Sequence, residues 1–190
     1  MIKNKYYISL IFLICFALNI LTECMKTFSS FPSIIYSNIV GTTLAAITLG
    51  PIYGSLVGGL SSLSLSTIGI GNSSFSIFFI VNIFEGFLIG IIAFKNKYSI
   101  KAALLTSIFL TLTIPFIGIL ISSYLFNSIP SSGFIYMYNL IVKSAHSYIL
   151  FLNKNFITTF FKYISSYIIS LIILKTFSRN TVIYKKSNNS

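Results

Sequence analysis

Two acidic residues and one histidine stand among 190, so acid–base chemistry in this chain reduces to Glu23, Glu85 and His146. Glu85 is the most informative. It follows Asn82 by three residues, nearly one helical turn, in the middle of an apolar stretch. A carboxylate in such a stretch is costly to bury and usually faces a cavity or a partner. Two readings follow. Glu85 binds a cation or hydrogen-bonds a solute, or it is a structural carboxyl paired with a Ser or Tyr of a neighbouring helix. A second group lies further along: Tyr136, Tyr138, Asn139, Lys143, His146 and Tyr148, with Lys162 beyond it. Aromatic rings, an amide and cations together suit a flat or anionic solute. The plainer reading is an interfacial aromatic belt with Lys162 snorkelling outward.

Other chemistries lack their residues. No Gly-x-x-x-x-Gly-Lys-Ser/Thr occurs, so ATP hydrolysis by the P-loop route is excluded. With no aspartate and one histidine, no Ser/His/Asp arrangement is credible. Gly69-x-Gly71 is too short for a dinucleotide loop. Cys15 and Cys24 have no metal-ligand spacing and read as small buried apolar residues. A single histidine leaves no zinc site. The expectation is a protein that is not an enzyme and holds neither metal nor cofactor.

The elements that must position these groups are set by where charge is missing. The 58 residues from Thr27 to Phe84 carry none, and Tyr6–Thr22 and Ala102–Val142 are also uncharged. The chain is 55% hydrophobic and 8% charged, with mean hydropathy +0.91. A soluble domain has too much surface to cover with so few polar groups, whereas a bilayer excludes charge. A span takes about 20 apolar residues. The fold class is therefore all-α: a polytopic membrane bundle of about six transmembrane helices. The expected spans are 6–25, 33–49, 51–70, 75–94, 102–126 and 156–177, in a single integral membrane domain over 1–178, with a basic tail over 179–190. The start resembles a signal peptide but lacks a small-x-small cleavage site, so a retained first span is expected. Gly50-Pro51 breaks the second span from the third. The cluster from Gly69 to Ser74 reads as a turn. A bend is expected at Pro115. Residues 127–155 read as an interfacial or re-entrant segment, or else a simple loop or an extra span.

Charge placement gives the orientation. With six spans and both termini cytoplasmic, the inner side holds Lys3, Lys5, Lys95, Lys97, Lys101, Lys175, Arg179, Lys185 and Lys186, and the outer side only Lys26, Lys143 and Lys154. The net charge of +11 is then topological, with no nucleic-acid partner.

Small residues recur every fourth position: Thr42, Ala46, Gly50, Gly54, Gly58, Ser62 and Ser66. That spacing gives helices a smooth face for close approach. It serves packing inside the bundle, docking of a partner subunit, or both. Gly86 and Gly90 add a second such pair.

Leu49-Gly50-Pro51-Ile52-Tyr53-Gly54-Ser55-Leu56-Val57-Gly58 resembles the Leu-Gly-Pro-x-x-Gly-x-x-x-Gly stretch of the substrate-binding S components of energy-coupling factor (ECF) transporters. Gly86-x-x-x-Gly90 before a basic loop, the length and the six spans are similar too. The first span departs from the family's Ala-x-x-x-Ala, since Leu21 follows Ala17 four positions on. The resemblance implies a bacterial cytoplasmic membrane subunit that captures a vitamin or related micronutrient. It implies a membrane coupling subunit and two ATP-binding subunits as partners, which supply the energy this chain cannot. It nominates Asn82, Glu85, Tyr138, Asn139, Lys143, His146 and Lys162 for the solute, and Gly50, Pro51, Gly54 and Gly58 for docking. Two alternatives remain: a non-transporting scaffold or sensor subunit of a cell-envelope assembly, and a stand-alone secondary carrier using Glu85.

Overall fold

The computed structural model describes residues 5–28, 39–70, 75–93, 99–126 and 156–176. These form six helices: α1 (Lys5–Phe28), α2 (Val40–Leu49), α3 (Pro51–Thr67), α4 (Phe75–Ala93), α5 (Ile100–Phe126) and α6 (Phe156–Thr176). Two stretches, Tyr6–Met25 and Phe156–Thr176, are long and apolar enough to cross a membrane. Val40–Leu49, Phe79–Ala93 and Ile100–Pro115 are shorter apolar helical stretches.

The helix ends follow from local chemistry. Gly50 separates α2 from α3 with φ 104°, a left-handed value that glycine adopts without steric cost. Pro51 then opens α3, where its missing N–H removes no helical bond. Helix α3 stops at Thr67, three residues before the expected end at Ile70. There Gly69 turns left-handed at φ 76°. Its N–H reaches the Ser66 carbonyl and the Ile70 N–H reaches the Leu65 carbonyl, which closes the helix with a Schellman motif. Helix α5 continues through Pro115. The expected segment 127–155, the tail 179–190 and residues 33–38 of the expected second span lie outside the described residues.

The small-residue stripe folds back on itself. A side chain at Gly54 would meet Ala46 and the Gly86 carbonyl, and one at Gly58 would meet Thr42 and the Asn82 carbonyl. Thr42 and Ala46 of α2 thus pair with Gly58 and Gly54 of α3, with Gly50 as the pivot. Helix α4 covers the same glycines from another side, running antiparallel to α3. Gly86 lies on the Gly54 backbone and Gly90 on Pro51. Small residues on both faces let the helix backbones approach this closely.

Helix α2 is the central element, buried from Val40 to Ile47 without a break. On one side it joins Cys15, Val57 and the α6 residues Ile173 and Leu174. On the other, its Ile39 flank, Ala46 and Ile47 join Ile89, Ala93, Ala102, Ala103, Leu110, Tyr163 and Tyr167. Of the two cysteines, Cys15 is buried and Cys24 half-buried, and neither is in a disulfide.

Three helices turn apolar faces outward while burying small and polar side chains beside the apolar core. Helix α1 buries Cys15, Asn19 and Glu23, a mostly polar stripe at four-residue spacing, and exposes Tyr6, Leu10, Leu13, Leu21 and Met25. Helix α5 buries Ala102, Ala103, Thr106 and Ser107 while exposing Leu104, Leu105, Ile108 and Phe109. Helix α6 buries Ser166 and Ser170 while exposing Ile157, Phe161 and Ile172. In water such outward faces would drive aggregation.

Candidate functional site

Two groups of buried polar side chains lie inside the bundle, and they differ in how completely they are satisfied. The first centres on Asn19 of α1, which is wholly buried. Its Oδ1 accepts hydrogen bonds from the N–H groups of Gly41 (2.7 Å) and Thr42 (3.2 Å). These N–H groups lie in the first turn of α2 and have no partner within that helix. Asn19 therefore caps a helix other than its own. Its amide nitrogen donates to Thr42 Oγ1 (2.8 Å) and Ser61 Oγ (3.1 Å). A side chain could not fit at Gly41, because a Cβ there would overlap the Cys15 carbonyl of α1. The network continues through Gly58, whose carbonyl accepts from Ser61 and Ser62. Ser62 in turn accepts from the Asn82 amide of α4. Four helices are thus joined by one chain of hydrogen bonds.

The second group centres on Glu85 of α4, only 4% exposed. The Tyr163 hydroxyl of α6 lies beside its carboxylate, within reach for a hydrogen bond. Oε1 is buried and has no hydrogen-bond partner among the described residues. Among the described residues the cation beside it is Lys162 of α6, whose Nζ lies 3.8 Å from Oε1, close enough for attraction but too far for a hydrogen bond. Lys162 is a third exposed, and its ammonium also lies 5.4 Å from the centre of the Tyr163 ring. One turn further along α6, the hydroxyl of Tyr167 is buried without a partner among the described residues. On α5, Thr106 Oγ1 is in the same condition, between Ala103 and Leu110 of the core that holds both tyrosines. Buried polar atoms are normally satisfied by protein or by ordered water. Glu85 Oε1, Tyr167 Oη and Thr106 Oγ1 are buried oxygens without a hydrogen-bond partner among the described residues.

Of the residues nominated from sequence, the structure brings Glu85 and Lys162 together. Lys162 turns to Glu85 instead of only snorkelling outward. The tyrosine contact weighed for Glu85 is present as well, so the carboxyl is held by its neighbours and still has an oxygen to offer. Asn82 is placed elsewhere: its amide nitrogen is committed to Ser62. Tyr138, Asn139, Lys143 and His146 lie outside the described residues. Gly54 and Gly58 are covered by α2 and α4 within the chain, and the exposed side of α3 is instead Ile52, Leu56 and Leu60. Glu23 and Glu85 form no carboxylate pair, because α1 packs on α2 and α3 and not on α4.

Sequence reasoning missed Tyr163, Tyr167, Thr106 and Asn19. The tyrosines had a usable signal. Tyr163 and Tyr167 stand four apart on one face of α6, and Ser166 and Ser170 stand four apart beside them. Polar spacing of that kind in an apolar helix marks its inward face.

No family model, curated protein or solved structure matches this chain. Its reading rests on its own residues.

Proposed function

We propose that this chain is the solute-capturing membrane subunit of an ECF-type importer for a vitamin or related micronutrient, residing in the bacterial cytoplasmic membrane. In this reading all six helices lie in the bilayer, with both termini cytoplasmic. A membrane coupling subunit and two ATP-binding subunits supply the energy. The observation that carries it is Glu85 Oε1, a buried acceptor left unfilled beside the Lys162 ammonium. Evolution tolerates such a group at a functional site and otherwise satisfies it. The outward-facing apolar residues and inward-facing polar ones support the membrane setting. The Gly50-Pro51 corner supports the family reading, since it forms the tight α2–α3 reversal that the Leu-Gly-Pro stretch suggests.

Glu85, Lys162 and Tyr163 form the inner part of the solute site. The resemblance adds Tyr138, Asn139, Lys143 and His146, which lie outside the described residues. Asn82 acts by tying α4 to α3 and so fixing Glu85, three residues on. Gly54 and Gly58 hold the helices that a coupling subunit would meet as a unit.

The test is purification from native membranes in mild detergent, with mass spectrometry of proteins and small molecules. Co-purifying coupling and ATP-binding subunits, with a retained solute, are expected. Cell-envelope assembly proteins and no small molecule would overturn the reading in favour of a scaffold. The Glu85–Lys162 pair also suits a stand-alone carrier, and solute uptake into vesicles containing this protein alone would select that reading.

A further inference from the structure

The charges at the site restrict what it can take. Glu85 and Lys162 cancel each other across 3.8 Å. No other acidic or basic side chain is buried in that core among the described residues. An ionic solute would unbalance the pair at Glu85, itself only 4% exposed, which is unfavourable in a low-dielectric setting. The unfilled atoms then specify polarity without charge. Glu85 Oε1 requires a donor. Lys162 has only donors to give and is a third exposed, so a solute's acceptor there takes the place of water. The Tyr167 and Thr106 hydroxyls donate or accept as needed.

We infer that the solute of this site is net-neutral and presents an N–H donor beside an oxygen acceptor, as an amide edge or a zwitterion does. The donor meets Glu85 Oε1 and the acceptor meets Lys162 Nζ, so the solute inserts between two charges that already attract each other. Each keeps a partner throughout, and no net charge moves into the bilayer. This rests on the capture reading and sharpens it.

Four probes sharing one phenyl ring separate the cases: benzamide (neutral amide), phenylglycine (zwitterion), benzoate (anion) and benzylammonium (cation). Binding of each to the purified full-length protein is measured by equilibrium dialysis. Benzamide or phenylglycine should bind the wild-type protein more tightly than either ion, by on the order of a hundredfold, the scale of one uncompensated charge. Whichever leads identifies the edge. Tightest binding by benzoate or benzylammonium, or saturable binding by none of the four, would overturn the inference. Two charge variants extend the test. Glu85→Gln leaves Lys162 unbalanced and should shift preference toward benzoate. Lys162→Gln leaves Glu85 unbalanced and should shift it toward benzylammonium. A purely structural pair would show no such reversal. Co-purification of ATP-binding subunits is independent of these probes, so the inference can fail while the transporter reading stands.

Discussion

The Asn19 network and the Glu85 cluster are both buried and polar, yet only one is finished. Every hydrogen-bonding atom of the Asn19 side chain that the structure describes has a partner: two backbone N–H groups, a threonine and a serine. Glu85, Tyr167 and Thr106 each leave an oxygen unfilled. Satisfied polar groups in an apolar medium hold a structure together, because separating them exposes several unmet groups at once. Unsatisfied ones raise the energy of the empty state, and a ligand that fills them recovers it. The first cluster suits folding, and the second is the one proposed for binding. Substitutions in the two should fail in different ways.

The largest effect is expected where no side chain fits at all. Gly86→Leu would drive its side chain into the Gly54 backbone and part α3 from α4. A loss of about 4 kcal/mol or more is expected, read as failure to recover monodisperse protein in detergent. Ile91→Ala, on the exposed face of the same helix, is the matched control and should behave as wild type.

Asn19→Leu comes next. It keeps the bulk but strands Thr42, Ser61 and two N–H groups of α2. A cost of about 3 kcal/mol is expected, since membrane hydrogen bonds contribute ~0.6–2 kcal/mol each. Thermal unfolding followed by size-exclusion chromatography would show it, and solute affinity at 4 °C should be unchanged. If affinity fell as steeply as stability, the two clusters would not be separable.

Tyr163→Phe touches the other side of the comparison. It removes the hydroxyl that holds the Glu85 carboxylate while keeping the ring beside Lys162. Solute affinity should fall roughly tenfold, in line with ~1.5 kcal/mol for a hydrogen bond to a charged group. An unchanged affinity would remove Tyr163 from the site. The smallest effect belongs to Ser62→Ala, which breaks one link to Asn82 and should cost about 1 kcal/mol of stability and weaken binding only slightly, by loosening the part of α4 that carries Glu85.

What the sequence disclosed and what it withheld divide along the same line. Helix breaks were legible because they depend on neighbours: Gly50-Pro51 and Gly69 act through their own backbone angles, and both stand where the turns were expected. The short end of α3 shows the margin, since apolarity continues to Ile70 while the Gly69 turn ends the helix earlier. The small-residue stripe was legible as a packing surface, but not its occupants, α2 and α4. Glu85 stood out because charge is so rare here. Its partner did not, because Lys162 lies 77 positions away and only the fold sets which faces meet. Asn19 was hidden for the same reason. Its acceptors and donors lie 22 to 42 positions along the chain, and a lone asparagine in an apolar helix looks incidental.

The central claim is that the unfilled oxygen of Glu85 is there for a solute. The most direct measurement is native mass spectrometry of the full-length protein released from its own membranes, comparing wild type with Glu85→Gln. The amide keeps the shape but lacks the charge, and Lys162, a third exposed, can turn toward water. The account predicts a small molecule retained by wild type and lost from Glu85→Gln, with unfolding temperatures within a few degrees of each other. The same molecule retained equally by both proteins would contradict it and make Glu85 a structural residue.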